Sequence, residues 1–60
     1  SAGFEAEIFA LLARGRDVGY IEKELFISRN TVNTHRKNLY RKLEIHTQQE
    51  LLSLIEETLA

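Results

Sequence analysis

Three residues divide this chain. Asp17, Ser28 and Thr47 each stand just before a stretch whose apolar side chains recur at three- and four-residue intervals. A short oxygen-bearing side chain there accepts a hydrogen bond from the N–H groups that a helix leaves unpaired at its start. There is no proline in the 60 residues, so nothing inside those stretches breaks the helical period. The chain is constrained to a few short helices joined by tight turns, an all-α fold.

The spacing predicts four helices. Phe4, Ile8, Leu11 and Leu12 mark the first, from about Phe4 to Arg14, with Gly15 placed to end it in a left-handed cap. Val18, Ile21 and Leu25 mark a short second helix, from Val18 to Leu25 or Phe26, weakened by Gly19 in its first turn. Ser28, accepting from Asn30 or Thr31, opens a third from Arg29 to Leu43. On this helix Val32, Leu39 and Leu43 fall within about 40° of one another, His35 and Arg36 flank them, and Asn33, Thr34, Lys37 and Arg41 face away. After Glu44-Ile45-His46, Thr47 and Glu50 form a capping box in which each satisfies the other's backbone donor. The fourth helix runs from Gln48 to Leu59. Its Leu51, Leu52, Leu54, Ile55 and Leu59 spread over roughly 160°, wider than a thin core needs, so part of that arc is expected to be exposed or covered by a partner.

Length and composition exclude several classes. Sixty residues make one domain, which buries only about 60% of the surface of its unfolded chain. There is no cysteine, so disulfides and thiolate zinc sites are absent. The two histidines, His35 and His46, are too far apart to share a helical turn, and no carboxylate pattern completes a metal site around them. No catalytic triad or carboxylate pair is visible, so neither enzyme activity nor a cofactor is expected. No apolar run approaches the ~20 residues of a membrane span and no secretory signal is present. A cytoplasmic location is the matching expectation. Ser1-Ala2-Gly3 has the look of a cloning scar before a domain that fills the rest of residues 1–60.

The net charge of −1 hides a strong segregation. Residues 1–27 carry −2, residues 28–43 carry +5 with no acidic side chain, and residues 44–60 carry −4. The cations are Arg29, Arg36, Lys37, Arg41 and Lys42, all on the third helix. Only Phe26-Ile27-Ser28 separates that helix from the second, which is the helix-turn-helix plan. In that plan the second helix of the pair enters the DNA major groove, about 12 Å wide, and its first turns meet base edges. A helix among phosphates must lack carboxylates, as this one does. Lys37 could bond guanine O6 or N7, Asn33 could pair with adenine N6 and N7, and Thr34 could offer its methyl to thymine. Among the flanking residues, Arg36 is expected to pair with Glu5 or Glu7, and His35 to pack with one ring nitrogen bonded to backbone or phosphate. Tyr40 reads equally as core edge or phosphate donor. The alternative function is a small helical protein-interaction module whose basic face binds an acidic partner.

A family resemblance rests on Leu25-Phe26-Ile27-Ser28, Thr31-Val32, His35 and Leu39-Tyr40-Arg41-Lys42-Leu43, continued by His46 and Gln49-Glu50-Leu51. With Glu5, Ile8, Leu12, Gly15 and Ile21 in the first two helices, the chain resembles the LuxR-type (GerE-like) DNA-binding domain of bacterial transcription regulators from about Phe4 to Leu59. The resemblance implies a four-helix domain that binds double-stranded DNA and needs no small-molecule ligand. It places base contacts on Asn33, Thr34 and Lys37, and phosphate contacts on Ser28, Thr31, Tyr40, Arg41 and Lys42. It implies a homodimer through the fourth helix, on Leu51, Leu54 and Ile55. It also implies the output end of a longer regulator, joined to a receiver, ligand-sensing or membrane segment. The chain departs from the family pattern at Ala2-Gly3, where threonine-proline is common, and at Glu22, where alanine is common. Val18 and Gly19 replace polar phosphate-contacting positions and leave Tyr20 as the candidate there. Asn33 replaces a frequent lysine, and Glu44 replaces a frequent glycine.

Overall fold

The computed structural model describes residues 3–60. The cloning-scar expectation for residues 1–3, like the departure at Ala2, falls largely outside the described residues; Gly3 itself opens the first helix. The helices are α1 (Gly3–Ala13), α2 (Val18–Leu25), α3 (Arg29–Leu43) and α4 (Gln48–Leu59). The described residues contain no strand, and none of these helices is long and apolar enough to cross a membrane.

Each start is built as its sequence requires. The Asp17 carboxylate accepts from Tyr20 N at 2.8 Å, Ser28 Oγ from Thr31 N at 3.1 Å, and Thr47 Oγ1 from Glu50 N at 3.1 Å. The capping box differs from expectation in its return bond. Glu50 Oε1 accepts from His46 N at 3.2 Å and from the Thr47 hydroxyl at 3.3 Å, so the carboxylate reaches one residue further back.

The three turns share one device, a left-handed residue just after the helix. Gly15 (φ +81°) ends α1, where Gly15 N donates to Leu12 O and Arg16 N to Leu11 O. This double bond pattern satisfies carbonyls that the helix leaves open. Phe26 (φ 55°) ends α2 and Glu44 (φ 56°) ends α3, with Ile27 N on Glu22 O and Ile45 N on Tyr40 O. In both cases the next side chain, Ile27 or Ile45, turns inward to the core. A residue with a Cβ in this conformation costs roughly 1–2 kcal/mol, and the inserted isoleucine offsets it.

The core is Ile8, Leu11 and Leu12 of α1, Ile21 of α2, Val32 and Tyr40 of α3, Ile45 of the last turn and Leu51 of α4. Helix α1 packs against each of the other three helices, and α2 packs on α3. Of the stripes expected on the first three helices, Val18, Leu25 and Leu39 pack partly buried against this core, whereas Phe4 is half exposed at the start of α1 and Leu43 is at the margin of exposure at the end of α3. Tyr40 takes the inner position instead. Helix α4 is tied to α1 by a contact with no sequence signal: Gln48 Nε2 donates to Leu12 O at 3.1 Å and to Arg16 O at 2.8 Å.

Glu44→Gly should stabilise the fold. Glycine removes the Cβ penalty at φ 56° and a negative charge at the C-terminus of α3, against its greater freedom when unfolded. The net gain of about 1 kcal/mol corresponds to a Tm rise of roughly 4–8 °C for a domain this small. Thermal melts by circular dichroism check it; an unchanged midpoint would show that the turn carries no strain.

Candidate nucleic-acid interface

The site is the outer surface of α3 together with the α2–α3 turn. Ser28 Oγ caps α3 and shares a 2.9 Å hydrogen bond with Thr31 Oγ1. Both hydroxyls thus cluster at the positive end of the helix dipole. Thr34 is exposed and gives its hydroxyl proton to Asn30 O at 2.9 Å. Asn33 is half-buried, and Lys37 is exposed with no hydrogen-bond or ion-pair partner among the described residues. Asn33, Thr34 and Lys37 therefore lie together within the first two and a half turns, with Arg29 and Arg41 continuing the row. Arg29, Asn33, Lys37 and Arg41 recur every four residues and drift about 40° per step around the axis.

Three of the five cations are held by neighbours. Arg29 Nε lies 2.9 Å from Glu22 Oε2, joining α2 to the first turn of α3. Glu22 is thus not a packing defect but the partner of Arg29. Arg41 donates to Asn38 Oδ1 one turn earlier. Lys42 Nζ lies 2.8 Å from Glu5 Oε1 on α1. This last pair replaces the one expected for Arg36 with Glu5 or Glu7. Lys42 stands about 140° round the helix from Lys37, on the flank that faces α1, whereas Arg36 lies toward Tyr40 on the other flank. Both ion pairs are largely solvated and contribute little to stability.

Two expectations about individual residues are corrected by burial. Tyr40 is 8% exposed and its hydroxyl has no accessible surface and no hydrogen-bond partner. It is a core residue, closed off from a phosphate in this conformation, and Ile45 packs in the same core. Burial pushes its phenol pKa up, with Arg36 partly opposing that shift. Leu51, expected at a dimer surface, is 1% exposed and sits in the core under α1. Of the α4 residues expected to dimerise, Leu54 is exposed and Ile55 is half-buried against the core, while Leu59 near the end of the helix is 80% exposed. His35 is half-buried, and its Nδ1 is buried without a protein partner.

A groove of roughly 1050 Å³ runs beside α3. It is lined by Arg36, Lys37, Tyr40 and Arg41 of α3, by Arg16 and the first residues of α2, and by Ile45. The Arg16 guanidinium lies 4.7 Å above the centre of the Tyr20 ring. The groove is not apparent in the residue spacing, because it depends on how the helices meet.

With this geometry in place, the family follows from sequence comparison. Residues 5–55 match the model of the luxR family of bacterial regulatory proteins, and the chain belongs to that family. More particularly, it is similar to response regulators. It is 44% identical over 48 residues to YgeK of Escherichia coli (strain K12), described as an uncharacterized response regulatory protein. It is 36% identical over 50 residues to the response regulator UvrY of the same strain and of Shigella flexneri. These matches cover 80% and 83% of the chain but only 33% of YgeK and 23% of UvrY, so the chain spans a third or less of these relatives. No solved structure matches it.

The Lys42 ammonium holds the Glu5 carboxyl below its ordinary pKa. A depressed carboxylate pKa stabilises the folded state above the ordinary value, and that contribution disappears as pH falls through the depressed one. An NMR pH titration of the Glu5 side chain should show a low midpoint that rises in Lys42→Ala. An identical midpoint in both proteins would show that the pair is not formed in solution.

Proposed function

We propose that this chain is a sequence-specific double-stranded DNA-binding domain, the output module of a response regulator that controls transcription. The observation that carries the reading is α3 itself. It follows a tight turn, has no carboxylate, and presents Asn33, Thr34 and Lys37 on its first turns with Arg29 and Arg41 beside them. Lys37 and Asn33 match guanine and adenine edges, and the Thr34 methyl suits thymine. Ser28, Thr31 and Arg41 serve phosphates, as does Lys42 once it leaves Glu5, an exchange that a weak, solvated pair permits. Family membership and the response-regulator relatives support the same reading. The chain works in the bacterial cytoplasm, where DNA is.

The second arm of the proposal is a homodimer. The exposed Leu54, with Ile55 at its margin, gives α4 an apolar edge that two copies could share about a two-fold axis. Half-sites would then lie about one helical turn apart on the DNA. A partner protein with an acidic surface is the competing reading for the basic face of α3.

Salt titration separates these readings. Binding to duplex DNA should weaken with a slope of about −4 in log K against log salt if four or five phosphates are neutralised. Lys37→Ala should also flatten the preference at one base pair. A flat slope, or no duplex binding at low salt, would exclude the DNA reading. For the dimer, Leu54→Glu should keep helical content and abolish the concentration-dependent self-association seen in sedimentation; an unaltered profile would remove α4 as the interface.

A further inference from the structure

Arg16 is set apart by its cation–π contact with Tyr20. Its side chain meets no carboxylate within ion-pair distance among the described residues; it is held over the face of Tyr20 instead. Cation–π contact of this kind fixes a guanidinium while leaving its N–H donors free for another group. The backbone beneath is fixed as well, because Arg16 O accepts from Gln48 at 2.8 Å. The same groove is lined by Arg29, Arg36, Lys37 and Arg41 of α3. Cations gathered around one open groove repel, and an anion among them removes that cost.

The groove also contains two carboxylates, Asp17 and Glu44, but five cations, Arg16, Arg29, Arg36, Lys37 and Arg41, so its lining remains positive overall. Asp17 is committed to capping Tyr20 N at 2.8 Å, and Glu44 lies at the far end, beyond the last turn of α3. A helix in the major groove has one phosphate strand passing along each of its flanks. The flank carrying Lys42 faces α1. The opposite flank faces the groove.

We infer that one DNA strand lies in this groove, its phosphates held between Arg16, pre-positioned on Tyr20, and the Lys37–Arg41 side of α3. The inference rests on α3 being the recognition helix and adds a contact from outside the helix-turn-helix pair. It explains how the amino end of α2 can reach a phosphate although Val18 and Gly19 offer no polar side chain there. Arg16 would serve all sequences alike, since phosphates carry no base information.

The test is fluorescence anisotropy with a random-sequence duplex over a range of salt. Arg16→Ala should weaken binding on the order of tenfold at low salt and make the slope shallower by about 0.9. Tyr20→Phe should behave as wild type, because the ring face is retained, whereas Tyr20→Ala should lose part of the affinity. Arg16 is exposed, so helical content should be unchanged; Arg16→Gln is the second variant if alanine lowers it. A wild-type chain that binds with its full slope while both Arg16 variants keep that slope would overturn the groove assignment and leave the role of α3 standing. A wild-type chain that binds no duplex would remove both.

Discussion

The structure depends on one buried face, that of α1. Ile8 and Leu12 are almost wholly removed from solvent, and α1 is the helix that meets all three others. A 60-residue core supplies only about 3–5 kcal/mol of net stability, while replacing one buried leucine with alanine costs about 2–5 kcal/mol. There is no disulfide to compensate. The orientation of α3 is therefore only as secure as the contacts of Ile8, Leu12, Ile21 and Val32. Gln48 strengthens the same centre by holding two carbonyls at the end of α1.

That core also decides which charges are available. Five cations sit on α3, but the packing of α1 and α2 brings Glu5 to Lys42 and Glu22 to Arg29. Those pairs are solvated and exchangeable, so they moderate the positive surface without removing it. Lys37 is left as the exposed cation of the early turns. The acidic remainder of the molecule limits the attractive surface to α3 and the groove beside it, which favours one orientation toward a polyanion.

Much of the fold was legible in the sequence because its signals are local. The bounds of α2, α3 and α4 match the expected ones, since Asp17, Ser28 and Thr47 act on backbone groups within three residues. Gly15 takes the left-handed form foreseen for it, and Glu44 adopts the same form that the glycine usual at its position would accept without strain. The placement of the proposed base-reading residues was legible: Asn33, Thr34 and Lys37 lie on one side of α3 because their spacing on a helix fixes it. Burial at the margins was not legible. Helical spacing ranks Leu43 inside and Tyr40 at the edge; the inward turn at Ile45 reverses them. Leu51 and Leu54 both look like surface candidates on an apolar arc, but only the position of α1 shows that Leu51 is covered.

The sequence by itself determined the number of helices, their caps, the tight turn before α3 and the absence of carboxylates on that helix. Each follows from interactions within about one helical turn. Only the tertiary structure decided that Lys42 belongs to Glu5, that Arg29 belongs to Glu22, that Tyr40 is closed in the core, and that Arg16 shares a groove with Lys37 and Arg41. These partners are between 7 and 37 residues apart in the ion pairs alone. Their meeting is set by how the left-handed turns aim one helix at the next, a geometry that no side-chain period records.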